Sequence, residues 1–106
     1  MNATEKMILD RFKEQVAQRL PLHAMILFGS RARGDADPDS DMDVLVVLED
    51  SAPDHAATVV SECAWEAGFE HGIVVVPVTY MRKEWEEGPE RYSLLAIAVR
   101  TDGVAV

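Results

Sequence analysis

The chain is 106 residues long, 48% hydrophobic and 27% charged, with a formal net charge of −9. This is the size and balance of one globular domain (1–106) with a real core. It excludes a membrane helix, which needs about 20 apolar residues in succession. It also argues against broad, sequence-independent nucleic-acid binding, which rests on lysines and arginines displacing phosphate counterions. Met1–Lys6 lacks the basic start and apolar run of a signal peptide, so the expected location is the cytoplasm. The acidic surface would favour a basic protein partner by steering.

Met7/Ile8, Phe12, Val16 and Leu20 recur at a spacing near four, which predicts a helix over Thr4 to Leu20, capped by Thr4 and ended by Pro21. The nearly continuous apolar run His23 to Phe28 predicts a central strand. His23 has no second histidine or cysteine at metal spacing and reads as a strand-edge residue without a catalytic role. Gly29-Ser30 breaks the run, where the backbone must turn sharply. Gly34 to Ser40 is a polar loop with a turn at Pro38. Its alternating Asp35, Asp37 and Asp39 resemble the start of a calcium loop. The required glycine and the twelfth-position glutamate are missing, so these read as solvated carboxylates.

A second apolar run, Val44 to Leu48, follows Asp41 and Asp43. Residues two apart on a strand share a face, so these two carboxylates address one site, with Cα atoms roughly 7 Å apart. Magnesium is hard and typically takes one or two protein carboxylates together with phosphate oxygens and water. Successive N–H groups in a tight turn at Gly29-Ser30 form an anion nest, to which the Ser30 hydroxyl adds a donor. Glycine at 29 lets backbone and phosphate approach closely, and Arg31 and Arg33 could offset charge on a leaving pyrophosphate. These are the parts of a site for a magnesium-bound nucleoside triphosphate.

Ser51-Ala-Pro-Asp54 has the form of a capping box, opening a helix through Val59, Val60, Cys63, Ala64 and Ala67 with Gly68 as its stop. Cys63 is alone in the chain and reads as core filling. His71 to Thr79 is a third strand, placed at an edge by Pro77. Thr79 then caps a short helix carrying Trp85 and ended by Gly88. A last helix is predicted from Pro89 to Arg100, with Gly103 ending it before Val104-Ala-Val106. Arg82, Lys83 and Arg91 read as solvated charges.

The pattern Gly29-Ser30, ten residues, Asp41-x-Asp43 resembles the signature of the nucleotidyltransferase superfamily related to DNA polymerase beta. At ordinary residue frequencies those four positions match by chance in about one chain of this length in a thousand. The fuller form, Gly-Ser-Arg-Ala-Arg-Gly followed by Ser-Asp-x-Asp, is similar to the minimal nucleotidyltransferases (MNT proteins) often paired with HEPN-domain proteins. The resemblance implies an α/β (α+β) fold, a short mixed sheet of three to four strands with helices packed mainly on one face. It implies transfer of a nucleoside monophosphate, AMP from ATP, to a protein or small-molecule hydroxyl, with one or two magnesium ions. In that reading Asp41 and Asp43 hold metal; Gly29, Ser30, Arg31 and Arg33 hold the nucleotide; Asp41, Asp43 and Ser30 carry catalysis.

Active members of the superfamily usually carry a third carboxylate on the strand beside the Asp-x-Asp strand. The corresponding run here, Ile73-Val-Val-Val-Pro-Val78, has no acid, which leaves Glu70 at its approach as the nearest substitute. The alternative function is therefore a non-catalytic, nucleotide-binding antitoxin subunit. A single small domain supplies one wall of a cleft, so a HEPN partner or a second copy is expected to supply the other, with Trp85, Tyr92, Leu94 and Leu95 as candidate interface residues. A Rossmann site is a poor third, since Gly-x-Gly-x-x-Gly is absent.

Overall fold

A computed structural model describes residues 1–106. Its elements in chain order are α1 (Ala3–Arg19), β1 (Leu22–Phe28), α2 (Ser30–Arg33), β2 (Met42–Leu48) and α3 (Ala56–Phe69). There follow β3 (Val75–Met81), α4 (Arg82–Glu87), a 3-10 turn (Pro89–Tyr92), α5 (Leu94–Asp102) and β4 (Val104–Ala105). The four strands form one mixed sheet in the order β3-β2-β1-β4. β1 runs antiparallel to both β2 and β4, whereas β3 is parallel to β2 and reached through α3.

The strand β2 explains why the sheet holds together. Six of its seven residues are buried and only Asp43 is not, because the strand is central and covered on both faces. Alternation sends Met42, Val44, Val46 and Leu48 to one face, where they join Met25, Leu27 and Val75 beneath α1 and α3. Ile8, Leu9, Phe12 and Val16 of α1 and Val59, Val60, Cys63, Ala64 and Ala67 of α3 complete that core. Leu45 and Val47 go to the other face, where a much smaller cluster with Phe28 and Val99 lies under α5, flanked by Trp85, Leu95 and Tyr80. The helices thus pack mainly on one face, as expected.

Several boundaries differ from the sequence expectation, each for a local reason. α1 is capped by Asn2, not Thr4: Asn2 Oδ1 accepts the Glu5 N–H at 2.8 Å and Glu5 Oε1 accepts the Asn2 N–H at 2.9 Å. α3 begins at Ala56, past the Ser51–Asp54 box, and has no side-chain cap. It runs one residue beyond Gly68, whose carbonyl accepts the N–H groups of His71 and Ile73. A Cβ at Gly68 would stand 2.0 Å from the Ile73 carbonyl oxygen, so only glycine permits this return. The last helix is broken at Ser93, which turns extended and caps α5 by accepting the Ala96 N–H at 3.1 Å. α4 starts after Met81, with β3 running through Thr79 to that residue. Val104-Ala105 pairs with Leu27 and Ile26 as the fourth strand.

β3 is an edge strand, as Pro77 requires. Val74 turns its carbonyl to the Met42 N–H at 2.9 Å, so the alternate residues Val75, Pro77 and Thr79 turn their backbone groups outward, where proline's missing N–H costs no ladder bond.

Candidate functional site

The antiparallel pairing of β1 and β2 brings the polar motif together. Phe28 lies opposite Asp43, so Gly29 and Ser30, just past the end of β1, meet Asp41 and Asp43 at the start of β2. Gly29 has φ 77° and ψ −158°, a region open essentially to glycine alone. A Cβ there would stand 2.6 Å from Asp43 Oδ2, so the Gly29 backbone packs directly on the carboxylate. The chain then coils into α2, whose bonds run from Ala32 and Arg33 N–H to the Gly29 carbonyl at 3.1 Å each. The N–H groups of Ser30 and Arg31, in the first turn, have no acceptor within it.

Asp43 is half-buried and Asp41 exposed. Burial pushes the Asp43 carboxyl up from its ordinary value, the Asp41 charge pushes it further, and Arg33 only partly offsets both. Two acids sharing one place with too little positive charge form a site that a cation relieves. The donor set suits magnesium: two carboxylates, with room left for phosphate oxygens and water.

Arg33 is the cation that acts on Asp43. Its Nε donates to Asp35 Oδ2 at 3.2 Å, and one terminal nitrogen lies 3.7 Å from Asp102 Oδ2. Exposed pairs of this kind contribute about 0–1 kcal/mol, so a phosphate can compete for the guanidinium. Asp102 comes from the far end of the chain, and nothing in the local sequence marks it; the β4–β1 pairing carries the end of α5 to this place. Asp35, Asp37 and Asp39 are exposed.

Two of the expected site residues lie elsewhere. Arg31 is not turned to a phosphate: its side chain is 4% exposed and is held by Glu5, the Ser40 carbonyl and the Pro38 carbonyl. The residue after a turn serine is as readily drawn inward as outward, and a buried acid within reach decides it. Glu70 does not complete the metal set. It is exposed at the end of α3, pairs with Arg11 of α1 at 3.6 Å, and no third acid, histidine or cysteine joins Asp41 and Asp43. Parallel pairing sets Val76 of β3 in register with Asp43, so the neighbouring-strand position beside the acids holds an apolar side chain.

The His23 ring lies at the opposite end of the sheet, with Nδ1 3.2 Å from Glu49 Oε1. Trp85 and Leu95 pack inward against the smaller cluster, while Tyr92 and Leu94 stand exposed.

Comparison with known proteins decides the family. The profile of the nucleotidyltransferase domain matches residues 9–99. The chain belongs to this family. A relative in Methanocaldococcus jannaschii is 31% identical over 77 residues, covering 71% of this chain and 78% of its own. It bears the provisional name protein adenylyltransferase MJ0141. Among solved structures, a toxin–antitoxin with AMP-PNP superposes with a TM-score of 0.60 at 21% identity, over 95% of this chain and 70% of that one. A double mutant of the toxin–antitoxin MntA-HpeT gives the same TM-score at 20% identity, over 99% and 72%. At these identities the structures establish the nucleotidyltransferase fold, and the family match makes the chain a nucleotidyltransferase by class.

Proposed function

We propose that this nucleotidyltransferase moves AMP from ATP to a hydroxyl group, on a protein or a small molecule, with magnesium held by Asp41 and Asp43. The observation that carries the reading is the packing of Gly29 on the Asp43 carboxylate, which leaves the Gly29-Ser30 turn and the aspartate pair within one ligand's span and so supports a phosphate on the turn and a metal on the pair. The name of the Methanocaldococcus relative favours adenylyl transfer and a protein acceptor, and the AMP-PNP bound in a structural neighbour favours adenine.

Magnesium, when bound, draws charge from the triphosphate and makes the phosphorus under attack more electrophilic. Ser30, through its N–H and hydroxyl, donates to the phosphate oxygens. Arg33 leaves Asp35 and Asp102 for the β- and γ-phosphates. The acceptor oxygen forms a bond to the α-phosphorus, the bond from that phosphorus to the β-bridging oxygen breaks, pyrophosphate leaves, and the hydroxyl proton passes to solvent. Catalysis comes from positioning and charge neutralisation.

The test is incubation of the full chain with each labelled nucleoside triphosphate, magnesium and a HEPN-type or other co-purifying protein. Labelled AMP on protein is expected, and it should vanish when Asp41 and Asp43 are both changed to Asn in a chain that still folds. Equal nucleotide affinity in that double variant and the parent, measured calorimetrically, would sink the metal-site reading.

A second reading, a nucleotide-binding antitoxin subunit without turnover, is favoured by Val76 standing in register with Asp43 and by Glu70 pairing with Arg11. Both toxin–antitoxin neighbours support a protein partner in either case. Magnesium-dependent binding of ATP without transfer to any acceptor would select it.

A further inference from the structure

Arg31 and Glu5 form an ion pair unlike any other in this chain. Its atoms lie 3.2 Å apart, and the two side chains are 4% and 7% exposed, whereas in every other ion pair both side chains are at least 27% exposed. Burying two charges is costly and is sustained only where the remaining donors and acceptors are also satisfied. Here they are. Arg31 Nε donates to the Ser40 carbonyl at 2.9 Å, and one terminal nitrogen donates to the same carbonyl at 2.6 Å and to the Pro38 carbonyl at 3.0 Å. Glu5 is held in turn, its Oε1 accepting the Asn2 N–H while its own N–H donates to Asn2.

The clamp therefore joins three segments far apart in sequence: the first turn of α1, the turn after Gly29-Ser30, and the end of the loop before β2. Its most important contact is the Ser40 carbonyl, because that group belongs to the peptide unit leading directly into Asp41. On the other side of Asp41, the Met42 N–H donates to the Val74 carbonyl. Asp41 itself is exposed. Its direction is thus set by two fixed peptide planes, one held by Arg31 and one by the sheet.

We propose that Arg31 is a positioning residue for the metal-binding Asp41, oriented by Glu5, so that the N-terminal turn of the chain is part of the scaffold of the active site. The inference rests on the reading of Asp41 and Asp43 as metal ligands. Lysine in place of Arg31 keeps the charge but loses the planar fork that spans Nε and a terminal nitrogen. Glutamine in place of Glu5 keeps the shape and the Asn2 bond but turns an N–H group toward the guanidinium. Groups that orient metal ligands typically cost about 10- to 100-fold in metal affinity when removed.

The experiment uses the full chain and titrates magnesium at fixed AMP-PNP, following nucleotide binding calorimetrically well below the thermal transition. R31K is expected to raise the magnesium midpoint about 10- to 100-fold, and E5Q to raise it less, in the same direction. K6A, which removes only an exposed pair with Asp10, is the control and keeps the parental midpoint. In R31A, millimolar ethylguanidinium should restore part of the magnesium response, which it cannot do for D41N. A residue that mattered only to stability would lower the melting temperature and leave the midpoint of the folded protein where it was. Folded R31K with the parental midpoint overturns the assignment; should R31K fail to fold, E5Q with the parental midpoint does so. A parent chain showing no magnesium-dependent binding overturns the site reading itself, and this assignment with it.

Discussion

Asp43 shows how one residue can work against the fold that holds it. It is the single unburied position of a central strand, and its carboxyl is pushed up first by burial and then by Asp41. Above the ordinary carboxylate value and below the raised one, the folded chain keeps a proton that the unfolded chain has released. Stability from this group therefore falls as pH rises through that window, and the cost is complete above the folded value. The D43N variant should be at least as stable as the parent at neutral pH, with an advantage that shrinks as pH falls through the window. Urea denaturation of both proteins without metal, across the acidic range, measures this; an advantage that grew toward low pH would contradict the assignment. On the proposed function magnesium would take the place of that proton, and its binding should weaken over the same descent.

Among the elements, β3 decides what the site lacks. Its parallel register with β2 sets Val76 beside Asp43, a relation that follows from hydrogen bonding across a crossover and not from local sequence. An acid placed there would join the pair on the same face, since residues in register share a face. V76D is expected to lower the magnesium midpoint and, through like-charge repulsion, to lower the metal-free melting temperature, so that metal stabilises the variant more than the parent. Melting curves with and without magnesium check both signs. An unchanged magnesium response would mean that the β3 position does not reach the ion.

At the scale of the whole molecule, the two faces of the sheet carry unequal shares of stability. The face under α1 and α3 holds an 18-residue core, and the site-bearing face holds four buried residues. Phe12, fully buried in the larger core, should cost about 3–5 kcal/mol when changed to Ala. Trp65 and Phe69, 64% and 66% exposed on α3, should each change stability by no more than about 0.5 kcal/mol when changed to Ser. Denaturant midpoints of the three variants test the contrast, and a large loss at Trp65 would show that face to be packed in solution.

The sequence by itself determined the buried strand Val44 to Leu48, the edge strand with Pro77, the crossover helix between them, and the shared face of Asp41 and Asp43. Each rests on short-range rules: apolar runs, proline's missing N–H, and a period of two along a strand. Tertiary structure decided the rest. Arg31 and Arg33 are two residues apart and alike in charge, yet one is drawn inward by Glu5 and the other stays beside Asp43. Glu70 lies close in sequence to β3 but pairs across α1 with Arg11. The asparagine at position 2, not the threonine at position 4, caps α1, because the reciprocal bond needs an acid three residues on. Val104-Ala105, too short to read as a strand, became one because β1 offered an open edge. A charged side chain takes its role from whichever partner the fold brings within reach, and here that partner lies tens of residues away, where no local pattern records it.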